Sequence, residues 1–421
     1  MTLVAARYLG PDDFGRYSYA VALVLLLAGI ANLGLQGIVT RDLVDEEGNQ
    51  NEILGSAVAI RALGAIGSAV LAVGLISLLR PSDVEMRWMV VLLCIGVLLQ
   101  PLRVLDLFYE SEVASKYTVV ADGLAGAAWL LIVGALIAST FPVIWFSGAK
   151  AIQLALSALL LLGIYFRQGG RPTEWRFGGE RAKSLLRKSW PLALANLGVV
   201  VYLKIDQVML GQMTGDAEVG TYAIAAQLSE ATYFIPAVVA SSVFPSLVAL
   251  RRSDDGAYRS RLIRSYAGLA WAGVAIATLV LLVSGPAIEL LFGEEYRGAA
   301  PILVVHIWAS PFIFMRAILS RWLIIEELYV FSLVSHLAGA LVNVAANFIL
   351  IPRMAGLGAA LATVISYATA SYFSLFLSRR TRPAAGMMTR ALLMPLKAIE
   401  TPKGQDRGPE DDQREDDEGE N

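Results

Sequence analysis

Long, uninterrupted runs of apolar residues make up most of this chain, and short polar stretches separate them. A helix that crosses a membrane needs about 20 mostly apolar residues. Because the runs are continuous and exceed the roughly 10 residues of a membrane strand, they predict helices rather than a barrel. Eleven such spans are visible, at residues 17–39, 54–79, 88–110, 117–139, 141–166, 189–213, 219–248, 266–291, 299–323, 330–351 and 356–378.

Two of the polar stretches are tight turns. They are STFP at Ser139–Pro142 and IPRMAG at Ile351–Gly356. Each is so short that the helices on either side must be neighbours. Each turn therefore predicts an antiparallel hairpin of two spans.

The composition supports a polytopic membrane protein and excludes a water-soluble one. Of the 421 residues, 56% are hydrophobic and 17% are charged. Soluble domains carry roughly 45–50% apolar and about 25% charged residues. The only cysteine, Cys94, lies in an apolar run and has no partner for a disulfide, and the two histidines, His306 and His336, stand alone. We predict no metal and no bound cofactor.

Basic residues cluster in alternate loops, which sets an orientation because short cytoplasmic loops are rich in Lys and Arg. The loop 167–188 carries seven bases and the loop 249–265 carries five, whereas the intervening loops carry almost none. The base-rich loops and the C-terminus are therefore predicted to be cytoplasmic. Residues 1–16 then lie outside, so a bundle with both ends inside needs twelve helices, one more than the eleven visible.

Part of the chain is repeated. LGPDDFGRYSYA, which begins at Leu9, recurs 205 positions later as TGDAEVGTYAIA. Asp122–Trp129 resembles Ser335–Asn343 at an offset of 213, and Phe141–Ser157 follows Ile351–Tyr367 at an offset of 210. The nearly constant offset predicts an internal duplication. It gives two pseudo-symmetric six-helix lobes that are parallel repeats.

This pattern divides the chain into four parts. We expect an N-terminal lobe over 1–166 with its first helix mostly missing, a basic cytoplasmic loop over 167–188 and a C-terminal lobe over 189–378. The rest, 379–421, is a cytoplasmic tail. From about residue 400 it holds ten acidic and three basic residues and nothing apolar to bury, so it is predicted to be disordered.

The blocks ARYLG with FGRY, KIDQVMLG with VGTY, and IPRMAGLGAALATVIS resemble the polysaccharide and O-antigen flippases. These form the polysaccharide-export branch of the multidrug/oligosaccharidyl-lipid/polysaccharide exporter superfamily. The resemblance runs from about Val4 to Ser378, with the family's first helix truncated. It implies a V-shaped bundle around a central cleft that moves a lipid-diphosphate-linked oligosaccharide to the outer leaflet of the cytoplasmic membrane. It also implies coupling to a proton or sodium gradient.

Ionisable groups inside the spans are the candidates for the site, because charge at the centre of a membrane helix is costly. The cationic candidates for a diphosphate are Arg61, Lys150, Lys204 and Arg316, since Arg offers a planar fork and Lys a point charge. Asn343 and Asn347 share one helix face and could bind sugar hydroxyls or join helices. Asp206 and Glu230 are the candidates for ion coupling, and Glu230 could pair with Lys204 or Arg61.

The leading hypothesis is a flippase rather than an enzyme. No P-loop, GxSxG, HExxH or CxxC is present. The alternatives are a drug or small-cation antiporter of the same superfamily, which would favour an acidic cleft, a membrane glycosyltransferase or polymerase, which would need a long catalytic loop, and a non-functional truncated copy. The predicted partners are the lipid-linked oligosaccharide, the bilayer and other membrane proteins of polysaccharide assembly. Nucleic acid is not expected.

Overall fold

The computed structural model describes residues 2–31 and 34–394, and in this part of the chain it contains helices and no strands. The acidic tail from about residue 400 lies outside the described residues. The helices are α1 Thr2–Ala31, α2 Gln36–Asp45, α3 Gln50–Leu79, α4 Val84–Leu98, α5 Val104–Ser111, α6 Lys116–Ala138, α7 Ile144–Arg167, α8 Gly179–Met213, α9 Asp216–Glu230, α10 Phe234–Ser253, α11 Asp255–Phe292, α12 Ala299–His306, α13 Ser310–Ile325, α14 Tyr329–Ser371 and α15 Arg382–Leu393.

The described helices confirm an all-α membrane protein. Eight helical segments are long and apolar enough to cross a bilayer, or nine if the bent pair Val84–Leu98 and Gln100–Ser111 is one span. The predicted spans 330–351 and 356–378 both fall in α14 and the turn after it. That element is broken at Ala355, where φ is 48°.

Both predicted tight turns reverse the chain. The backbone takes positive φ at Thr140 and at Ala355. On either side of the second turn, the Ser366 hydroxyl donates to the Gly339 carbonyl at 2.8 Å, although 27 residues separate them. That contact is possible only if the two halves of α14 run antiparallel, because 27 residues of straight helix span about 40 Å.

Several predicted span boundaries were wrong. The first span ends by Ala31 and is followed by the separate helix α2, whereas 17–39 was predicted as one run. The helices α8 and α11 begin at Gly179 and Asp255, so much of the predicted loops 167–188 and 249–265 is helical. Lys, Arg and Glu are good helix formers, so a helix continues past the apolar stretch that hydropathy detects.

The repeated turns have the same backbone in both copies. Gly10 (φ 71°, ψ 172°) and Gly215 (φ 107°, ψ 173°) lie in a region that glycine adopts without steric cost. Each interrupts the helix at the second residue of the repeated stretch, and 205 positions separate them. We call this side of the molecule the turn face, and the opposite side, which carries the base-rich segments, the basic face.

The two copies also contact each other reciprocally on the turn face. A Cβ atom on Gly15 would lie 1.7 Å from the Asp216 carbonyl oxygen, and one on Gly220 would lie 2.1 Å from the Pro11 carbonyl oxygen. Gly220 and Asp216 are the repeats of Gly15 and Pro11. A contact that repeats itself with partners exchanged is the signature of a two-fold axis between the lobes.

The turn face is sealed by a core that both lobes share. Buried residues of α1, α3, α4, α8, α9, α11, α12 and α14 form one apolar cluster there, including Tyr19, Leu23 and Tyr222. Arg80, at the end of α3, reaches across to the other lobe. Its guanidinium binds both carboxylate oxygens of Asp216 at 2.7 and 2.8 Å and the Gly211 carbonyl at 2.7 Å.

On the basic face, the first turn of α8 is attached to the N-terminal lobe. Arg181 donates to Glu46 at 2.8 and 2.5 Å. These hydrogen bonds hold the pKa of Glu46 at about 2. The carboxylate is therefore charged at any physiological pH, and this attachment does not switch with pH.

Candidate functional site

A cavity of about 290 Å³ lies between the N-terminal lobe and α8. Its wall is mostly apolar and comes from α1, α3, α4, α7 and α8. The polar side chains that line it are Arg61, Gln100 and Lys204. Two predicted cationic candidates from different lobes thus share one cavity, and no acidic residue in the described part of the chain lines it.

A helix break shapes one wall of this cavity. Between α4 and α5 the chain bends by 40°. Pro101 stands at the start of the intervening turn, where it has no N–H to continue the helix. The Gln100 amide donates to the Leu154 carbonyl at 2.9 Å and so fixes the break against α7. Gln100 and Pro101 line the cavity because the helix stops there.

Lys204 also forms an ion pair behind the cavity wall. Its Nζ lies 3.3 Å from a carboxylate oxygen of Glu230 on α9, and both side chains are about three-quarters buried. Of the two partners that the sequence allowed for Glu230, the structure brings Lys204 to it. The cavity lysine is thus held by one carboxylate of the C-terminal lobe.

Asp206 lies deeper and is almost completely buried, with 1% of its surface exposed. Its carboxylate accepts hydrogen bonds from Tyr222 at 2.7 Å, from Thr363 at 2.6 Å and from the Asn347 amide. Asn347 also donates to Asn343 at 3.1 Å. The two asparagines therefore surround Asp206 and are not among the residues that line the cavity. We call these five side chains the Asp206 cluster.

Arg316 is buried inside the C-terminal lobe and does not line the cavity. It donates to the Ser335 hydroxyl at 2.9 Å and to the Ala370 carbonyl at 2.7 Å, which joins the two halves of α14. It also contacts His336 Nε2 at 2.7 Å. A guanidinium has only donors, so a neutral His336 carries its proton on Nδ1, which lies 3.0 Å from the Tyr202 hydroxyl.

Arg103 joins the corresponding pair of helices in the N-terminal lobe, and it was not identified from the sequence. It donates to Asp122 and Ser157, which joins α6 to α7, and to Asp106 at 2.6 Å. Arg103, Asp122 and Ser157 stand 213 positions before Arg316, Ser335 and Ala370. The contacts thus correct the predicted offset of 210 for the last helix to 213. Extending the offset of 213 to all basic residues would have found this arginine.

Lys150 is separate from the cavity. Its ammonium donates to Gln153 at 2.9 Å and lies 5.7 Å from the centre of the Trp129 ring. It forms no ion pair with any described residue. Nor does the described part of the chain bring three His, Cys, Asp or Glu side chains together in a way that could hold a metal ion.

Residues 1–251 match the family model described as "Polysaccharide biosynthesis protein". The putative O-antigen transporter of Shigella flexneri is 24% identical over 315 residues, which cover 69% of this chain and 72% of that protein. The probable flippase AglR of Haloferax volcanii is 23% identical over 410 residues, covering 89% and 78%.

Solved transporter structures share the fold. An inward-facing multidrug transporter of the MATE family has a TM-score of 0.75 at 13% identity, covering 92% of this chain and 94% of that one. The lipid II flippase MurJ in an inward closed conformation has a TM-score of 0.70 at 12% identity, covering 93% and 90%. At such identities the likeness concerns the fold alone.

Proposed function

This chain belongs to the polysaccharide biosynthesis protein family, and we propose that it flips a lipid-diphosphate-linked oligosaccharide across the cytoplasmic membrane by alternating access. One observation carries the proposal. Arg61 and Lys204, one from each lobe, line the same mostly apolar cavity. A diphosphate needs cationic donors, and donors from both lobes make its binding depend on the arrangement of the lobes.

In this proposal Lys204 exchanges its partner during loading. The ion pair with Glu230 keeps the lysine compensated while the cavity holds no anion. A phosphate oxygen that enters competes for the same ammonium. Glu230 is then left without its cation and takes up a proton or a sodium ion, which links substrate binding to ion binding.

The Asp206 cluster is the second proposed element of coupling. It offers carboxylate, amide and hydroxyl oxygens on three different helices, the ligand types that a hard cation prefers. Asp206 and Lys204 stand two residues apart on α8. A change in the charge at Asp206 is therefore transmitted to the cavity through one helix turn.

The proposed orientation puts the basic face in the cytoplasm, together with the C-terminus. The lipid-linked substrate then approaches from the inner leaflet, and the base-rich segments attract its anionic head group. The prenyl chain stays in the bilayer between the lobes. Other membrane proteins of polysaccharide assembly remain proposed partners.

A drug or small-cation antiporter is the alternative that the cavity disfavours. A site for a cationic drug needs acidic groups, and the described residues that line the cavity include two cations and no acid. Glu230 is engaged by Lys204. The electrostatics of the cavity therefore favour an anionic substrate.

The test is transport in proteoliposomes that contain a fluorescent undecaprenyl-diphosphate oligosaccharide, with flipping read by an impermeant glycosidase. Arg61→Gln and Lys204→Gln are each expected to lower the initial rate by about tenfold or more, because each removes a charged hydrogen-bond donor. A sodium or a proton gradient, imposed in turn, identifies the coupling ion.

The matched control is Arg353→Gln, which removes an exposed arginine on the turn face that donates to the backbone of its own helix. Its rate should equal that of the unmodified protein. Full flipping by both cavity variants would refute the role of the cavity. Export of a cationic dye, with no flipping by the unmodified protein, would favour the antiporter.

A further inference from the structure

A second cavity opens on the basic face of the C-terminal lobe and shares no lining residue with the cavity between the lobes. It has a volume of about 400 Å³. The end of α10, the start of α11, the end of α13 and the helix α15 form its walls. Two buried aromatic side chains, Tyr258 and Trp322, lie at its base and are exposed by only 3% and 4%.

Four arginines line this cavity, and its acids compensate only part of their charge. Arg251 pairs with Glu326 at 3.0 Å, and Arg259 pairs with Asp255 at 2.9 Å. The other two arginines are Arg380 and Arg390. Neither forms an ion pair with any residue in 2–31 or 34–394. Among the residues that the structure describes, the lining of the cavity therefore carries an excess of two positive charges.

The segment that supplies Arg380 also has apolar side chains that are exposed on the surface of the protein. Phe373, Phe376 and Leu377 are exposed by 57%, 46% and 75%, within seven residues of Arg380. Beyond it, α15 is anchored by buried alanines and by Met388, so the arginine of its last turn is held in place. Apolar groups followed by fixed arginines match a lipid, whose acyl chains adjoin an anionic head group.

We infer that this cavity binds the phosphate of an anionic phospholipid head group, with Arg380 and Arg390 as its donors and Phe373 and Phe376 beside the acyl chains. A planar guanidinium donates two parallel hydrogen bonds to a phosphate. The inference does not depend on the proposed flippase activity, since none of these residues lines the cavity between the lobes. Free phosphate has the same chemistry but would not need the apolar neighbours.

The experiment is native mass spectrometry of the purified full-length protein in a neutral detergent. The protein is titrated with dioleoylphosphatidylglycerol, and separately with dioleoylphosphatidylcholine and inorganic phosphate. We expect the first phosphatidylglycerol to bind at least tenfold more tightly than phosphatidylcholine. The double variant Arg380→Gln/Arg390→Gln should lose that preference.

The matched control is Arg252→Gln/Arg379→Gln. These two arginines are exposed on the same face and are sequence neighbours of Arg251 and Arg380, but they do not line the cavity. The control removes the same charge, so it should change the affinity less than twofold. Equal losses in both double variants would overturn the inference, because surface charge alone would then explain the binding.

Two further results would also overturn it. Binding of inorganic phosphate as tight as that of phosphatidylglycerol would assign the cavity to a soluble anion. Lipid binding that appears only after residues 400–421 are deleted would assign it to the acidic segment of the chain itself. In contrast, phosphatidylglycerol bound by the full chain and resistant to millimolar phosphate supports the lipid.

Discussion

Arg103 and Arg316 hold equivalent hairpins together, but they differ in what they neutralise. Arg103 faces the carboxylates of Asp106 and Asp122. Arg316 faces a hydroxyl, a carbonyl and an imidazole, and it forms no ion pair with any described residue. The two repeats share the arginine, but its partners are ionic in the N-terminal lobe and neutral in the C-terminal lobe.

This difference predicts unequal effects on stability. Arg103→Met leaves two carboxylates without their cation, and breaking a buried ion pair costs about 3–5 kcal/mol. Because Asp122 is 47% exposed, we expect a smaller loss, about 2 kcal/mol. Arg316→Met leaves only neutral acceptors, which costs about 1 kcal/mol. The unfolding midpoint in detergent measures both.

Asp122→Asn is the companion variant. In combination with Arg103→Met, it removes one of the two carboxylates left without a cation. The unfolding midpoint of the double variant should therefore be higher than that of Arg103→Met alone. If Arg316→Met lowered the midpoint more than Arg103→Met, the assignment of ionic and neutral roles to the two arginines would be wrong.

At the scale of elements, the crossing of α1 and α9 depends on two glycines. The backbones approach so closely that a Cβ on Gly15 would overlap the Asp216 carbonyl oxygen at 1.7 Å, and Gly220 is placed in the same way against Pro11. Both glycines were visible in the repeated stretch, but a sequence repeat alone shows only that two segments are alike. That they touch each other is a property of the packed lobes.

We predict that Gly15→Ala and Gly220→Ala each destabilise the protein by about 1–3 kcal/mol, the usual cost of overpacking. This happens although Ala is favoured over Gly inside a helix by about 1 kcal/mol. Thermal unfolding in detergent measures the change.

Gly67→Ala is the control for this pair. Gly67 lies in α3, and nothing approaches within 4 Å of the position that its Cβ would take. The control should therefore be neutral or slightly stabilising. Stabilisation by all three substitutions would mean that α1 and α9 do not approach this closely in the protein as measured in detergent.

The whole molecule is closed at the turn face. The shared apolar core and the reciprocal contact of α1 and α9 join the lobes there, and the ion pair between Arg80 and Asp216 adds a charged connection that spans them. Alternating access requires this face to open. A polar ion pair can be broken and rehydrated when the lobes separate, whereas the glycine contact only sets how closely they meet.

We therefore predict that Asp216→Asn increases the population open at the turn face, by a factor on the order of ten. Spin labels at Ser139→Cys and Arg353→Cys, one on each hairpin turn, report the distance between the lobes in a Cys94→Ala background. The distance distribution should gain a longer component.

Asp255→Asn serves as the control for that measurement. It removes exposed ion pairs on the basic face, in which both partners, Arg251 and Arg259, belong to the same lobe as Asp255. Its distance distribution should match that of the labelled parent. An unchanged distribution for Asp216→Asn would show that the apolar core alone determines the closure.

The sequence alone was enough to predict the class of the protein, the two hairpin turns, the repeat and the approximate positions of the spans, but several span boundaries were wrong. These follow from local patterns. The thickness of the bilayer sets the number of apolar residues in a span, and a tight turn makes the two helices that it joins antiparallel neighbours. It also named Arg61, Lys204, Asp206 and Glu230. An ionisable residue within an apolar span can be identified from the sequence without knowing how the helices pack.

Which of these groups meet depends on how the helices pack and rotate. A single sequence does not show how each helix is rotated, so Arg316, Lys150, Asn343 and Asn347 were predicted as candidates for the cavity together with Arg61. The structure instead packs Arg316 of α13 against both halves of α14 and joins the asparagines to Asp206. Arg103 was overlooked because its partners lie 19 and 54 positions away and become neighbours only when α6 and α7 fold back on each other.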